Sequence, residues 1–149
     1  MIRQFQVRDA NACCSLVCAC ISRDSLMPAS LRAKLCSAES PEAMVERAGL
    51  FYLAVYEFND SILGIGGLEL NEVRLLYVAP EHRRKGIGKA MLEHLESMVP
   101  AAPFADIFVY SAPSAVGFYR SQGFTDRGEF VFDYGGEPLT TIFMTKPTR

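Results

Sequence analysis

The 149-residue sequence has only two histidines, His82 and His94, no C-x-x-C pair and no excess of either charge. Fifteen Lys and Arg against seventeen Asp and Glu, a formal net charge of -2, leave no polycationic surface for a nucleic acid and no sign of disorder. No apolar run reaches membrane-spanning length, and "IRQFQVRDA" after Met1 lacks the apolar core of a secretory leader, so the expected location is cytoplasmic. Cysteine is present but odd in number: Cys13, Cys14, Cys18, Cys20 and Cys36. A disulfide framework is not expected in a reducing compartment. Cys14 and Cys18 would share a helix face, yet no second ligand pair accompanies them, so the cysteines read as small apolar residues packing a helix and no metal is expected.

What is there has the length of one domain, residues 1–149, with half of its residues hydrophobic. Ile2–Val7 reads as a strand, and Asp9 as the N-cap of a Cys- and Leu-rich helix running to about Ser22. Pro28 and Pro41 punctuate one or two short helices, the later one starting at Ser40-Pro41-Glu42. "LFYLAVYEF" and "SILGIGGLEL" flank Asn59-Asp60 as a hairpin, and "EVRLLYVAP" is a further strand ended by Pro80. Ile87, Met91, Leu95 and Met98 recur at helical spacing before Pro100. "ADIFVYS" is a strand and "SAVGFYRSQ" a short helix stopped by Gly123; a last hairpin turns at Gly135-Gly136. This order predicts one α/β or α+β domain with helices on both faces of a mostly antiparallel sheet.

One segment runs against the charge rules. In "EHRRKGIGKAML", Arg83, Arg84 and Lys85 precede Gly86 and a helix start, where the free N–H groups are already positive and each added base costs some tenths of a kcal/mol. An anion held by those N–H groups and the cations reverses the sign. Two familiar phosphate loops fail on spacing. A P-loop needs Ser or Thr after Gly88-Lys89 and glycine at position 83, which are Ala90 and Arg83; a dinucleotide loop needs glycine at position 91, which is Met91. A strand, a proline turn, a cationic run, two glycines and an amphipathic helix in succession still make an anion cradle.

"LLYVAPEHRRKGIGKAML" resembles the acetyl-coenzyme A segment of the GCN5-related N-acetyltransferase (GNAT) family, whose Arg/Gln-x-x-Gly-x-Gly/Ala signature is filled by Arg83, Gly86 and Gly88. "SAVGFYRSQGF", Ser114 to Phe124, is similar to the family's second signature, and the resemblance covers nearly the whole chain. It implies a sheet of about seven strands whose fourth strand splays from the fifth at a bulge, leaving a coenzyme cleft. By position it implies that Leu76, Tyr77 and Val78 meet the pantetheine arm through main-chain groups. The pyrophosphate would lie on the amides from Arg84 through Lys85, Gly86, Ile87 and Gly88 to Lys89, helped by the cations of Arg83, Arg84, Lys85 and Lys89.

The same resemblance implies that Tyr119 is the general acid that protonates the departing thiolate, although as a ring beside Phe118 it also reads as a core residue. Ser114 stands where many members carry an Asn on the coenzyme; it would contact the coenzyme or cap the helix. Of Glu69 and Glu72, which flank the turn into the "LLYV" strand, Glu69 is expected as the general base. His82 in the anion loop and His94 on the polar side of its helix are poorer candidates, and Asp133 and Tyr134 would line the acceptor pocket. The implied activity is direct transfer of an acetyl group from acetyl-CoA to an amine of a small molecule or peptide, without an acyl-enzyme and without a metal. The alternative is a non-catalytic acyl-CoA sensor of the same fold. Neither nucleic acid nor membrane is an expected partner, and the chain would be a monomer or homodimer.

Overall fold

A computed structural model describes residues 1–148. Seven strands form one sheet: β1 (Ile2–Gln4), β2 (Tyr52–Phe58), β3 (Ser61–Glu69), β4 (Glu72–Val78), β5 (Asp106–Ser111), β6 (Thr125–Tyr134) and β7 (Glu137–Pro147). Their order is β1-β2-β3-β4-β5-β7-β6, antiparallel throughout except for β4 beside β5. Five α-helices complete the fold: α1 (Ala10–Ser22), α2 (Ala29–Ala38), α3 (Pro41–Leu50), α4 (Ile87–Ser97) and α5 (Val116–Ser121). None of the described helices is long and apolar enough to cross a membrane.

The sheet has a core on each face, as the alternation of its strands requires. On one face Leu53, Val55 and Ile65 meet Cys13, Leu16 and Val17 of α1 and Met44 of α3. On the other, Leu68, Val73 and Ile107 meet Leu92 and Leu95 of α4, while Ala54 meets Ile87 and Met91. The glycines of "GIGG" set how close α4 lies. A Cβ on Gly66 would stand 3.2 Å from Met91 Cε and 3.3 Å from Leu95 Cδ1, so even one added carbon would force these core side chains to shift by a few tenths of an ångström.

Local chemistry explains most boundaries. Asn59 and Asp60 take φ of 49° and 62°, and Gly135 and Gly136 take 59° and 84°, the left-handed pairs that tight hairpin turns demand. Ser40 caps α3 by accepting from the Ala43 N–H at 3.0 Å, with Pro41 at the first helical position. Two expectations shift. The first strand stops at Gln4, and Asp9 gives α1 no side-chain cap. Asp9 is instead buried, taking Arg3 Nη1 and Nη2 at 2.8 and 2.9 Å and the Gln6 N–H at 2.8 Å, because Arg3 on the edge strand is within reach. α4 ends at Ser97, so Met98 is 45% exposed and Leu92 takes its place in the core.

The feature that positions the site is in β4. Gly67 pairs with Arg74 and Ile65 with Tyr77, so Leu75 and Leu76 together oppose Gly66. Leu75 adopts φ +54° to make this bulge, a conformation that strains a residue with a Cβ. Beyond it, β4 leaves β5: the two strands share one pair, Glu72 with Phe108, and then diverge. The expected splay is present, and its open end lies beside the start of α4, where a Cβ on Gly88 would stand 3.6 Å from Val78 Cγ2.

Candidate active site

The loop ahead of α4 is built to receive negative charge. Arg84 and Gly86 both have left-handed φ, +62° and +83°, which turns successive N–H groups toward one concavity. Gly86 is the N-cap of α4 and supplies no side-chain bond, and no acid occupies the first turn. The opening N–H groups of the helix thus lack the partners that a cap would provide. A Cβ at Gly86 would meet nothing within 4 Å, so the space above the loop is open. The residues present fit a phosphate or pyrophosphate. The cations are not all free above it: Lys85 Nζ lies 3.3 Å from His82 Nδ1, and Arg83 lies against the Cys20 thiol. Burial raises the Cys20 pKa, and the Arg83 contact offsets part of that rise.

Gly88 has a second role. A Cβ there would lie 3.2 Å from Phe118 Cε1 and 3.6 Å from Val78 Cγ2. The bare backbone of α4 therefore lets α5 close against it across the open end of the split.

Along β4 the main-chain groups divide by alternation. The Ala79 N–H donates to Leu63 O at 2.8 Å, and the register then gives Tyr77 to Ile65 and turns Val78 away from β3. Val78 thus carries an N–H turned away from β3, whereas the main-chain groups of Tyr77 belong to the sheet. The Cys20 thiol donates to Val78 O at 3.2 Å.

Tyr119 sits in α5 at 5% exposure, edge-on to Phe118 and Phe124 with ring centroids 5.2 and 5.3 Å away. Burial drives its pKa well above that of an ordinary phenol, and Tyr77 on the facing strand adds to the rise. Burial likewise pushes Tyr77 up to about 12. Both rings are protonated donors at neutral pH.

The two glutamates at the closed end of the split differ. Glu69 is half-exposed and bound to Arg74 Nη1 at 2.8 Å, whereas Glu72 is more buried, with Arg74 Nε at 3.9 Å. Desolvation raises the Glu72 pKa. Glu69, Glu72 and Phe108 line one depression.

A model of the acetyltransferase (GNAT) domain matches residues 21–137. The chain belongs to the GNAT acetyltransferase family. It is 35% identical over 97 residues to "IAA acetyltransferase" of Azospirillum brasilense, an alignment covering 58% of this chain and 61% of that protein, less than two thirds of the relative's length. Its fold is similar to that of a GCN5-related N-acetyltransferase described as "Aminotransferase, Class-II" from Rhodopseudomonas palustris, with a TM-score of 0.91, 18% identity and coverage of 99% and 94% of the two chains. PaiA N-acetyltransferase of Thermoplasma acidophilum, solved in complex with coenzyme A, superposes with a TM-score of 0.75 at 18% identity, covering 99% and 98%.

Several side chains of this GNAT domain depart from their expected places. Ser114 donates to Asp24 Oδ2 at 2.8 Å, tying the α1–α2 connection to the far side of the split. His94 is not turned to solvent: its Nε2 lies 2.7 Å from the Tyr52 hydroxyl. Tyr134 falls on the same face of β6 as Phe132 and near Arg47 of α3, while strand alternation turns Asp133 to the other face. Cys13 and Cys20 are buried in the α1 core, as small apolar residues would be. Cys18 and Cys36 face each other between α1 and α2, each thiol 3.7 Å from the other's carbonyl. No group of three metal-ligating side chains occurs among the described residues. Sequence reasoning gave no weight to the ring cluster around Tyr110 on β5. The alternation of Phe130 with Phe132 and of Phe108 with Tyr110 is its only sequence signal.

Proposed function

We propose that residues 1–149 act as a single acyl-CoA-dependent N-acetyltransferase domain that acetylates a primary amine by direct attack. The observation that carries this reading is the splayed β4 strand with an uncapped, left-handed N–H cradle at its open end and a buried, protonated Tyr119 beside it. The amides from Arg84 to Lys89 would hold the pyrophosphate, with charge from Arg84 and Lys89, and from Lys85 once it leaves His82. Leu76 and Val78 would bind the pantetheine arm through main-chain groups. Acetyl-CoA supplies an acetyl thioester.

The chain's residues divide the proton work. Glu72, rather than Glu69, takes a proton from the ammonium form of the acceptor, because its carboxylate is desolvated and lacks the tight Arg74 bond that holds Glu69. The freed amine attacks the thioester carbonyl carbon; a C–N bond forms and the C–S bond breaks. The leaving sulfur takes the proton of the Tyr119 hydroxyl, which is restored from the second proton lost by the attacking nitrogen. One proton reaches solvent, and the products are the N-acetyl amine and coenzyme A.

An amine-panel assay with acetyl-CoA, following free thiol, tests the reading alongside calorimetric titration of coenzyme A. Thiol release that depends on an amine is the expected result. Binding without turnover on any amine would leave a sensor domain, and absence of binding would remove both readings.

A further inference from the structure

On the face of the sheet opposite α4, Tyr110 packs against Phe130, Phe132 and Phe143 with centroids 5.3, 5.2 and 5.2 Å away. Phe130 and Phe132 stand 4.7 Å apart and remain 47% and 38% exposed, on an outermost strand exposed along nearly its whole length. Exposed rings grouped in this way offer an apolar contact surface. Two observations choose the contact. The surface continues into the split: Phe108, 5.9 Å from Tyr110, pairs with Glu72 across the β4–β5 junction and lines the same depression. The opposite end is closed, because Lys34 of α2 reaches Gly135 O at 3.1 Å and Glu137 at 3.3 Å, and Ser30 binds Glu137, fastening α2 to the β6–β7 turn.

The charges around this surface fit an amine. Arg47 is held by both Glu39 oxygens, at 2.6 and 2.8 Å, Lys34 by Glu137, and Arg74, 3.9 Å from Glu72, by Glu69 at 2.8 Å, so each of these nearby cations has a carboxylate of its own. Glu72 remains as the carboxylate at the inner end, and the ring faces themselves attract a cation.

We infer that the acceptor is an amine carrying an aromatic or other flat apolar group, which lies on the Tyr110–Phe130–Phe132 surface while the amine points to Glu72. This rests on the transferase reading and adds the substrate class to it. The transfer is unchanged in its balance: the amine nitrogen gains the acetyl carbon and loses two protons, one ending on the coenzyme A sulfur and one in solvent. The rings select by burying the substituent and by edge or offset stacking, so they act on KM more than on kcat.

The test compares 2-phenylethylamine with 1,4-diaminobutane in the full chain at saturating acetyl-CoA, for the native protein and for Phe132→Ala, Phe130→Ala and the milder Phe132→Leu. The inference expects kcat/KM at least about tenfold higher for the aromatic amine. Phe132→Ala should remove that advantage through KM, with the diamine rate and the acetyl-CoA KM unchanged and Phe132→Leu intermediate. Equal rates for the two amines, or ring variants without effect, would overturn it and leave the transferase reading standing. Should neither amine turn over, titration of 2-phenylethylamine into coenzyme A-saturated protein decides: binding that weakens in Phe132→Leu supports the inference, and no binding overturns it. Light scattering that finds a dimer dissociated by Phe130→Ala would also overturn it, by giving the rings to a second copy of the chain.

Discussion

Burial at Tyr119 and at Glu72 has opposite functional signs, and each can be measured. The Tyr119 phenol is kept protonated, so it can donate but never serve as a base at neutral pH. Tyr119→Phe should lower kcat by about a hundredfold or more while leaving the calorimetric coenzyme affinity nearly intact. The Glu72 carboxyl is raised above 4.5, so catalysis should increase as pH rises through that higher value; Glu72→Gln should abolish this limb of the rate profile. A raised carboxyl pKa also means that the ionised side chain costs the fold stability above its unfolded pKa, so Glu72→Gln should leave the melting temperature unchanged or higher. Asp9 is the reverse case. The Arg3 hydrogen bonds hold its pKa below 3.8, so the stability it confers is present above that value and is lost as pH falls through the lower folded one. Asp9→Asn should cost about 1–2 kcal/mol by urea unfolding at neutral pH, because Arg3 keeps its bond to Glu57 at 2.9 Å, and the difference shrinks on acidification.

At the scale of elements, the parts written in local residue chemistry were legible in advance. Asn59-Asp60, Gly135-Gly136 and Ser40-Pro41 each dictate backbone geometry within a few residues, and the structure has the expected turns and cap there. The bulge is different. Leucine gives no local reason for φ +54° at Leu75, and only the family resemblance suggested a bulge in this strand. Its cause is the register that Gly67–Arg74 and Ile65–Tyr77 impose from the two sides. Gly88 shows the same limit: its spacing marks a phosphate loop, but its contact with Phe118 comes from a segment some thirty residues away in the chain. Gly88→Val should therefore displace α5 as well as obstruct the cradle. Coenzyme affinity should fall about tenfold or more, with a stability loss of about 1–3 kcal/mol from overpacking, measured by calorimetry and thermal unfolding.

For the whole molecule, the split is a place where a sheet has given up pairing between two of its central strands, and a ligand that spans it should restore cohesion. Coenzyme A at a hundred times its dissociation constant should stabilise the fold by about 2.7 kcal/mol, several degrees in melting temperature, and by less as salt screens the cationic loop. By itself the sequence determined the order of the elements, the turns, the glycine-rich start of α4 and the family, because those depend on periodicity, glycine placement and short motifs. The tertiary structure alone decided that Glu72 is the desolvated carboxylate, that Ser114 is tied to Asp24 and that the rings of β5, β6 and β7 share one face. Burial and contact between residues distant in the chain arise only when the sheet brings its strands together, and no local pattern of residues encodes them.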